Sequence, residues 1–363
     1  MRKLALLCAV ASAVLAAPAS ASRADYLASA KEGLGLTTAR FWNGDGNWYN
    51  DDVEGDPASM PLARLWSAYP LFETLNGIAI ADPTPANKAA AKSFADQAHE
   101  LYWNPDLKPY GGYGWYPRQR GSLANVYFDD TGWWGLSFID AHAATGDATY
   151  LTYAHRALVF IVRTGWDAKN GGLWWDTRHH HKTIEPLAAA VLIGTRLYEE
   201  QHRVWDLRWA LKLLKWANVH SFNTAQGLYG RSATDDTVMD YAQGMMITAN
   251  WELCKSLHRP WLCTKARQLA NACARTFPQD LNWAPQFDVV YLRWMLEYYR
   301  DSGDRRWYDL ALHNAQRAQT LGQDQRGLYT NRWDGTPLAD GLEEHAASTE
   351  LFAWIAATDP PGS

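Results

Sequence analysis

The sequence predicts an all-α fold, a single domain of six helical hairpins closed into an (α/α)6 toroid. Three observations carry that prediction. A turn-and-aromatic motif recurs along the chain, glycine-plus-aromatic loops recur with it, and helices with one apolar face alternate with helices apolar all round.

At the start, Arg2 and Lys3 precede an apolar run over residues 4–17, and Ala17-Pro18-Ala19-Ser20-Ala21-Ser22 follows. A basic stretch, a short apolar stretch and an A-x-A site make the pattern of a signal peptide, with cleavage expected after Ala21. Residues 1–21 are therefore read as a leader and 22–363 as the functional domain, secreted or periplasmic. The run is too short to span a bilayer. Loss of Arg2 and Lys3 takes the formal net charge from −5 to −7.

Four segments pair a turn with an aromatic-led helix. They are Gly146-Asp147-Ala148-Thr149-Tyr150, His202-Arg203-Val204-Trp205, His258-Arg259-Pro260-Trp261 and Gly303-Asp304-Arg305-Arg306-Trp307, at steps of 56, 56 and 45 residues. Ala154, Ala210, Ala266 and Ala311 follow the aromatics by four or five positions, and Ala98 stands 56 residues before the first of them. Loops lie at Gly44-Asp45-Gly46-Asn47-Trp48-Tyr49, residues 111–116, Gly171-Gly172-Leu173-Trp174-Trp175, Gly227-Leu228-Tyr229 and Gly327-Leu328-Tyr329, with Asn282-Trp283 a degenerate member.

The segment before a loop is amphipathic. Trp307, Leu310, Ala311, Asn314, Ala315 and Ala318 keep a three-four spacing with charges between them. The segments after the loops, at 133–144, 184–197, 245–257, 289–299 and 351–357, are apolar nearly all round and so belong to an inner layer. A strand reading fails because alternation is absent and Ala, Leu and Trp dominate. The terminal repeats are no more polar than the middle ones, which favours a closed ring over an open solenoid.

Cys254 and Cys263 flank a helix–helix turn, where a disulfide is geometrically reasonable in an oxidising compartment. Cys263 and Cys273 lie on one predicted helix, about 15 Å apart along its axis, too far to pair. Cys273 is expected to be a small buried hydrophobe, and no cysteine spacing resembles a zinc site.

Composition narrows the function. The chain has 20 Trp, 18 Tyr and 10 Phe, with 47% hydrophobic and 20% charged residues, which excludes a disordered chain. A net charge of −5 leaves no basic footprint for nucleic acid or anionic lipid. The mean hydropathy of −0.37 argues against an integral membrane protein. A buried indole needs a partner for its N–H, so so many Trp suggest that some rings face a groove, where flat apolar faces stack on the C–H faces of sugars. Most are expected in core packing.

The N-terminal ends of the inner helices share one face of the ring. Asp129-Asp130, Glu185, Asp240, Asp288 and Glu343-Glu344 sit there, so five of six inner helices begin with acid. Taken singly, each acid reads as a cap or a partner of the helix dipole. Together they read as the mouth of an acidic, aromatic funnel suited to a neutral polyhydroxylated substrate. Asp129-Asp130 stands apart, because capping needs one carboxylate. Two neighbours repel, their proton affinities separate, and one can act as acid/base beside a nucleophile. Adjacent residues reach the roughly 5–5.5 Å carboxyl spacing of retaining glycosidases more easily than the wider inverting gap.

At these residues the sequence resembles glycoside hydrolase family 76, the α-1,6-mannanases and their fungal cell-wall relatives, which have an (α/α)6 fold. Tyr127-Phe128-Asp129-Asp130-Thr131-Gly132-Trp133-Trp134 is similar to the family's Asp-Asp motif, and Gly171-Gly172-Leu173-Trp174-Trp175 to its Gly-Gly-x-Trp-Trp loop. Lys182-Thr183 with the following helix, and Asp240-Tyr241-Ala242-Gln243-Gly244, resemble two further elements. The similarity covers most of residues 25–357. It implies endo-hydrolysis of α-1,6-mannosidic bonds with retention, Asp129 as nucleophile and Asp130 as general acid/base, without metal or cofactor. Thr183 and Ala242 each stand where the family has Asn, which leaves the glycan and its branching open.

The substrate-binding candidates are Trp133, Tyr127, Trp115, Trp175, Lys182, Asp240, Tyr241 and Gln243. Trp133 is expected to face inward and Trp134 outward, since neighbours on a helix point about 100° apart. Trp174 is read, like Trp115 and Trp175, as a loop ring available to sugar, whereas Trp209, Trp216 and Trp307 read as packing. His179-His180-His181 reads as a solvated rim, because consecutive residues cannot all face one ion. Residues 111–114 lack the Lys-Ser/Thr ending of a phosphate loop, and Ser122 has no nucleophile-elbow context. The expected partner is an oligo- or polysaccharide of α-mannan type, with no nucleic acid, no membrane insertion, and a monomeric state. Two other classes compete. A lyase or epimerase on the same toroid conflicts with an acidic mouth, and a sugar-binding or transglycosidase protein would differ in its products.

Overall fold

The computed structural model describes residues 21–53, 60–122 and 125–362; of the expected leader, residues 1–20 lie outside them. The described residues form twelve helices in two concentric rings. The outer ring holds α1 (Arg23–Phe41), α3 (Pro85–Tyr102), α5 (Thr149–Thr164), α7 (Val204–His220), α9 (Pro260–Thr276) and α11 (Arg306–Leu321). The inner ring holds α2 (Leu65–Ala81), α4 (Phe128–Thr145), α6 (Ile184–Gln201), α8 (Asp240–Leu257), α10 (Pro285–Ser302) and α12 (Leu342–Ala356). Each inner helix packs on the next, and α12 packs on α2, so the ring is closed. No helix among the described residues is long and apolar enough to cross a membrane.

Side-chain pattern explains the two layers. On α5 the buried Tyr150, Leu151, Ala154, Ala157, Leu158 and Ile161 form one stripe, widened near its end by Phe160 and Val162, as expected of a helix that is wet on its other face. On α6 every residue from Ile184 to Thr195 is buried. The recurrent Ala98, Ala154, Ala210, Ala266 and Ala311 are all fully buried, small enough for an outer helix to approach the inner ring. Four inner helices end on a left-handed residue: Gly146 (φ 81°), His202 (53°), His258 (52°) and Gly303 (74°). These are the turns of the repeated motif, and they reverse the chain into the next outer helix. Proline at the first turn starts α3, α9 and α10, where its missing N–H costs nothing. Cys254 and Cys263 form a disulfide across the α8–α9 turn (Cα–Cα 5.3 Å), and Cys273 is buried and free.

Three of the loops contain short antiparallel hairpins that the helical pattern does not signal. They pair β1 (Trp42–Asn43) with β2 (Trp48–Tyr49), β3 (Trp103–Asn104) with β4 (Gly112–Tyr113), and β5 (Phe222–Asn223) with β6 (Leu228–Tyr229). Trp48 sits in one of them, yet it is core: it is fully buried and its indole N–H donates to the Tyr102 hydroxyl at 3.0 Å.

Inside the ring, away from the mouth, lies a buried ionic cluster. Asp140 on α4 accepts from Arg196 on α6 (2.8 Å) and from Arg293 on α10 (3.1 Å). Arg293 also pairs with Glu297 at 2.9 Å. Glu73 on α2 and Glu350 on α12 are buried beside them.

Candidate active site

Where the inner helices begin, the ring opens into a pit of about 310 Å³. Asp129 and Asp130, in the first turn of α4, lie among aromatic walls formed by Trp66, Trp115, Tyr127, Trp133, Trp175, Tyr241 and Phe287, with Arg64 at the edge. Trp133 turns into the pit while Trp134 packs in the core against Phe72 and Tyr102.

Local sequence places the two carboxyls. A β-carbon at Gly132 would fall 2.6 Å from that of Ala189, so glycine lets α4 press against α6. This brings Asp129 within the field of Glu185. The next loop is tied to the start of α4, since the Phe128 N–H donates to the Trp175 carbonyl at 2.8 Å. Gly171 and Gly172, at φ +72° and +84°, pack on Trp216 where a β-carbon would lie 2.5 and 2.8 Å from the indole. So anchored, Trp175 donates its indole N–H to Asp129 Oδ2 at 2.8 Å, while Asp129 Oδ1 accepts from the Asp130 N–H at 3.1 Å. On the far side, the Leu65 N–H donates to the Trp115 carbonyl at 2.9 Å, and Arg64 pairs with Asp51 at 2.7 Å.

These surroundings raise both proton affinities. Burial, reinforced by Glu185, pushes Asp129 up to about 7, against the pull of the Trp175 hydrogen bond. Burial and the neighbouring Asp129 push Asp130 well above the usual carboxylate range, and Arg64 restrains it. Near neutral pH the pair therefore holds a proton on Asp130, beside an Asp129 able to ionise. That is the division an acid/base and a nucleophile require.

The candidates do not all converge. Asp129, Asp130, Trp133, Tyr127, Trp115, Trp175 and Tyr241 share the pit; Lys182, Asp240 and Gln243 are not among its lining residues. Lys182 bonds Asp167 (2.6 Å) and the Gly171 carbonyl (2.7 Å) and lies over the Trp174 ring, bracing the loop from behind. Trp174 is therefore part of that brace, stacked on His179, and is not a pit wall. Gln243 is buried and bonds both the N–H (3.0 Å) and the C=O (2.9 Å) of Tyr229. Asp240 is paired with Asp288 beside a separate hollow. His181 stacks on Trp175, and His180 pairs with Asp176. No inner helix is capped by the side chain of its N-cap residue; first-turn acids accept backbone N–H groups there instead, Asp129 from Asp130 at 3.1 Å and Asp240 from Tyr241 at 2.7 Å.

Arg64, Trp66 and Phe287 are pit residues the sequence reading missed. The signal was present: the apolar segment Leu65-Trp66-Ser67-Ala68-Tyr69 stands 63 residues before Phe128, a little more than one repeat. Pro70 interrupts it, and the structure carries the helix through that proline.

The sequence profile described as Glycosyl hydrolase family 76 matches residues 47–352. No curated protein matches the chain. Among solved structures, the chain is similar to a family 76 α-mannanase from Bacteroides thetaiotaomicron, with 19% identity, TM-score 0.81, and 92% of this chain and 96% of that chain covered. It is similar to an α-1,6-mannanase from a Salegentibacter species, with 18% identity, TM-score 0.74, and 92% and 99% covered. An inactive variant of that Salegentibacter enzyme, with two consecutive aspartates replaced by alanine, is in complex with α-1,6-mannotetrose. A cellobiose 2-epimerase from Spirochaeta thermophila has the same fold at 16% identity and TM-score 0.66, with 92% and 96% covered.

Proposed function

Because the chain belongs to glycosyl hydrolase family 76, we propose that it cleaves α-1,6-mannosidic bonds within α-mannan and retains the anomeric configuration. Asp129 is the nucleophile and Asp130 the general acid/base. The observation that carries this reading is the pair of adjacent carboxyls at the base of one aromatic pit, with proton affinities set apart by their surroundings.

The steps follow from that division. Asp130 gives its proton to the glycosidic oxygen as the Asp129 carboxylate bonds to the anomeric carbon and the C–O bond to the leaving chain breaks. The indole N–H of Trp175 stabilises the charge on Asp129 before attack and again when it departs. Asp130, now ionised, takes a proton from the water that displaces Asp129 and restores the pair. The aromatic walls supply apolar faces for the sugar rings, and an uncharged mannan suits a pit whose one lining cation among the described residues, Arg64, is already paired with Asp51. The inactive aspartate variant of the Salegentibacter enzyme supports the same assignment.

We also take the chain to be exported, with residues 1–21 removed. The Cys254–Cys263 disulfide supports an oxidising destination, and the mass of the mature protein tests the cleavage site. Incubation with linear α-1,6-mannan tests the activity. Short α-1,6-manno-oligosaccharides are expected, with the α-anomer appearing first by NMR. A β-anomer first would overturn retention, and no release from any α-mannan would overturn the assignment.

A further inference from the structure

We propose that an aromatic shelf on the α8/α10 side of the mouth holds one further mannosyl ring outside the pit, with Trp283 as its platform. The inference rests on the mannanase reading and extends it to the length of chain the protein grips.

Trp283 differs from the aromatics at corresponding loop positions. Trp48, Tyr113, Tyr229 and Tyr329 are buried and Trp174 is half-buried beneath Lys182, whereas Trp283 is 46% exposed. Its ring is nonetheless held in register with the pit. It lies nearly parallel to Phe287 (centroids 4.7 Å, 22°) and to Tyr241 (5.8 Å, 23°), both pit walls, and Phe287 lies nearly parallel to Trp66 (5.6 Å, 25°). The apolar surface therefore continues from the pit wall to the rim. Past Trp283 a second hollow of about 330 Å³ is bordered by Asp280, Asn282 and Asp288.

The loop carrying Trp283 is braced on both sides. The Trp283 N–H donates to Asp288 Oδ2 at 3.0 Å, Asn282 donates to Asp334 at 2.6 Å, and the Asn282 carbonyl accepts from Arg332 at 3.0 Å. An exposed indole fixed in place loses little freedom when it binds, which is what a stacking platform needs. A pyranose laid on it would cover the ring with its C–H face and offer its hydroxyls to Asp280 and Asn282. A neutral sugar continuing from the pit fits this surface by continuity alone.

The test compares wild type, Trp283→Ala and Trp283→Phe on α-1,6-manno-oligosaccharides of increasing length. Trp283→Ala is expected to lower kcat/KM on the longest substrate roughly tenfold more than on the shortest, chiefly through KM, and Trp283→Phe to recover much of the loss. An equal loss at every length, or no loss at any, would overturn the shelf while leaving the mannanase reading intact. A wild-type chain that cleaves none of the series would overturn that reading and the shelf with it.

Discussion

Asp129 and Asp130, half-buried at the mouth, and Glu297, buried deeper in the ring, respond to enclosure in opposite ways. At the mouth, Asp129 is raised to about 7 and Asp130 further, and no arginine hydrogen-bonds either one among the described residues. Deeper in the ring, burial would raise Glu297 as well, but Arg293, Arg300 and Arg196 outweigh it and hold the carboxyl down to about 2. Enclosure is common to both; the counter-charge is not. One site keeps a proton available for chemistry, and at the other Glu297 stays ionised within the ion pairs that join helices α4, α6 and α10.

The sharpest way to break this contrast is to neutralise each set in turn. Asp129→Asn and Asp130→Asn should each cut mannan hydrolysis by roughly 10³-fold or more, read by reducing-end release. Neither should lower the melting temperature, because each removes a carboxyl that burial already disfavours. Arg293→Met should do the reverse. It takes one buried partner from each of Asp140 and Glu297, leaving Arg196 and Arg300, and a loss of about 3 kcal/mol is expected in denaturant unfolding.

Smaller effects sharpen the comparison. Trp175→Phe removes the N–H that favours ionised Asp129, so its pKa should climb above about 7. The acidic limb of the kcat/KM profile should then move upward by about one pH unit. Glu73 gives the gentlest readout. Its carboxyl is raised to about 8, chiefly by burial and then by Asp140, so the folded chain keeps a proton that the unfolded chain releases near 4.5. Its stabilising share is complete below about 4.5 and is lost as pH rises through about 8. Thermal melts from pH 5 to pH 9 should show that decline, with a shallower slope in Glu73→Gln.

Much of this architecture was legible because the repeat is written in local chemistry. Left-handed turns at Gly146 and Gly303, one-striped outer helices and all-round apolar inner helices each leave a pattern within about twenty residues. The pit was legible only where its residues share such a pattern, as Tyr127 to Trp133 do. Direction at the mouth is decided by distant neighbours. Trp48 is drawn into the core by Phe94 and Tyr102, while Trp283, in a loop without the glycine turn, stays at the rim. Lys182 looked like a sugar contact, but Asp167 fifteen residues earlier captures its ammonium. The α2 wall was hidden by Pro70, which reads as a break and is accommodated by packing.

The joint between α1 and α12 has one more consequence. These helices pack together, Arg23 donates to the Ala356 carbonyl at 2.9 and 2.7 Å, and it pairs with Asp359. The place where the polypeptide meets itself is stitched like any other seam between hairpins, so order along the chain is separable from order around the ring. A circular permutant joining residue 359 to residue 22 through a short linker, and opened at the exposed turn before Gly227, would keep every inner-helix neighbour and should close into the same ring.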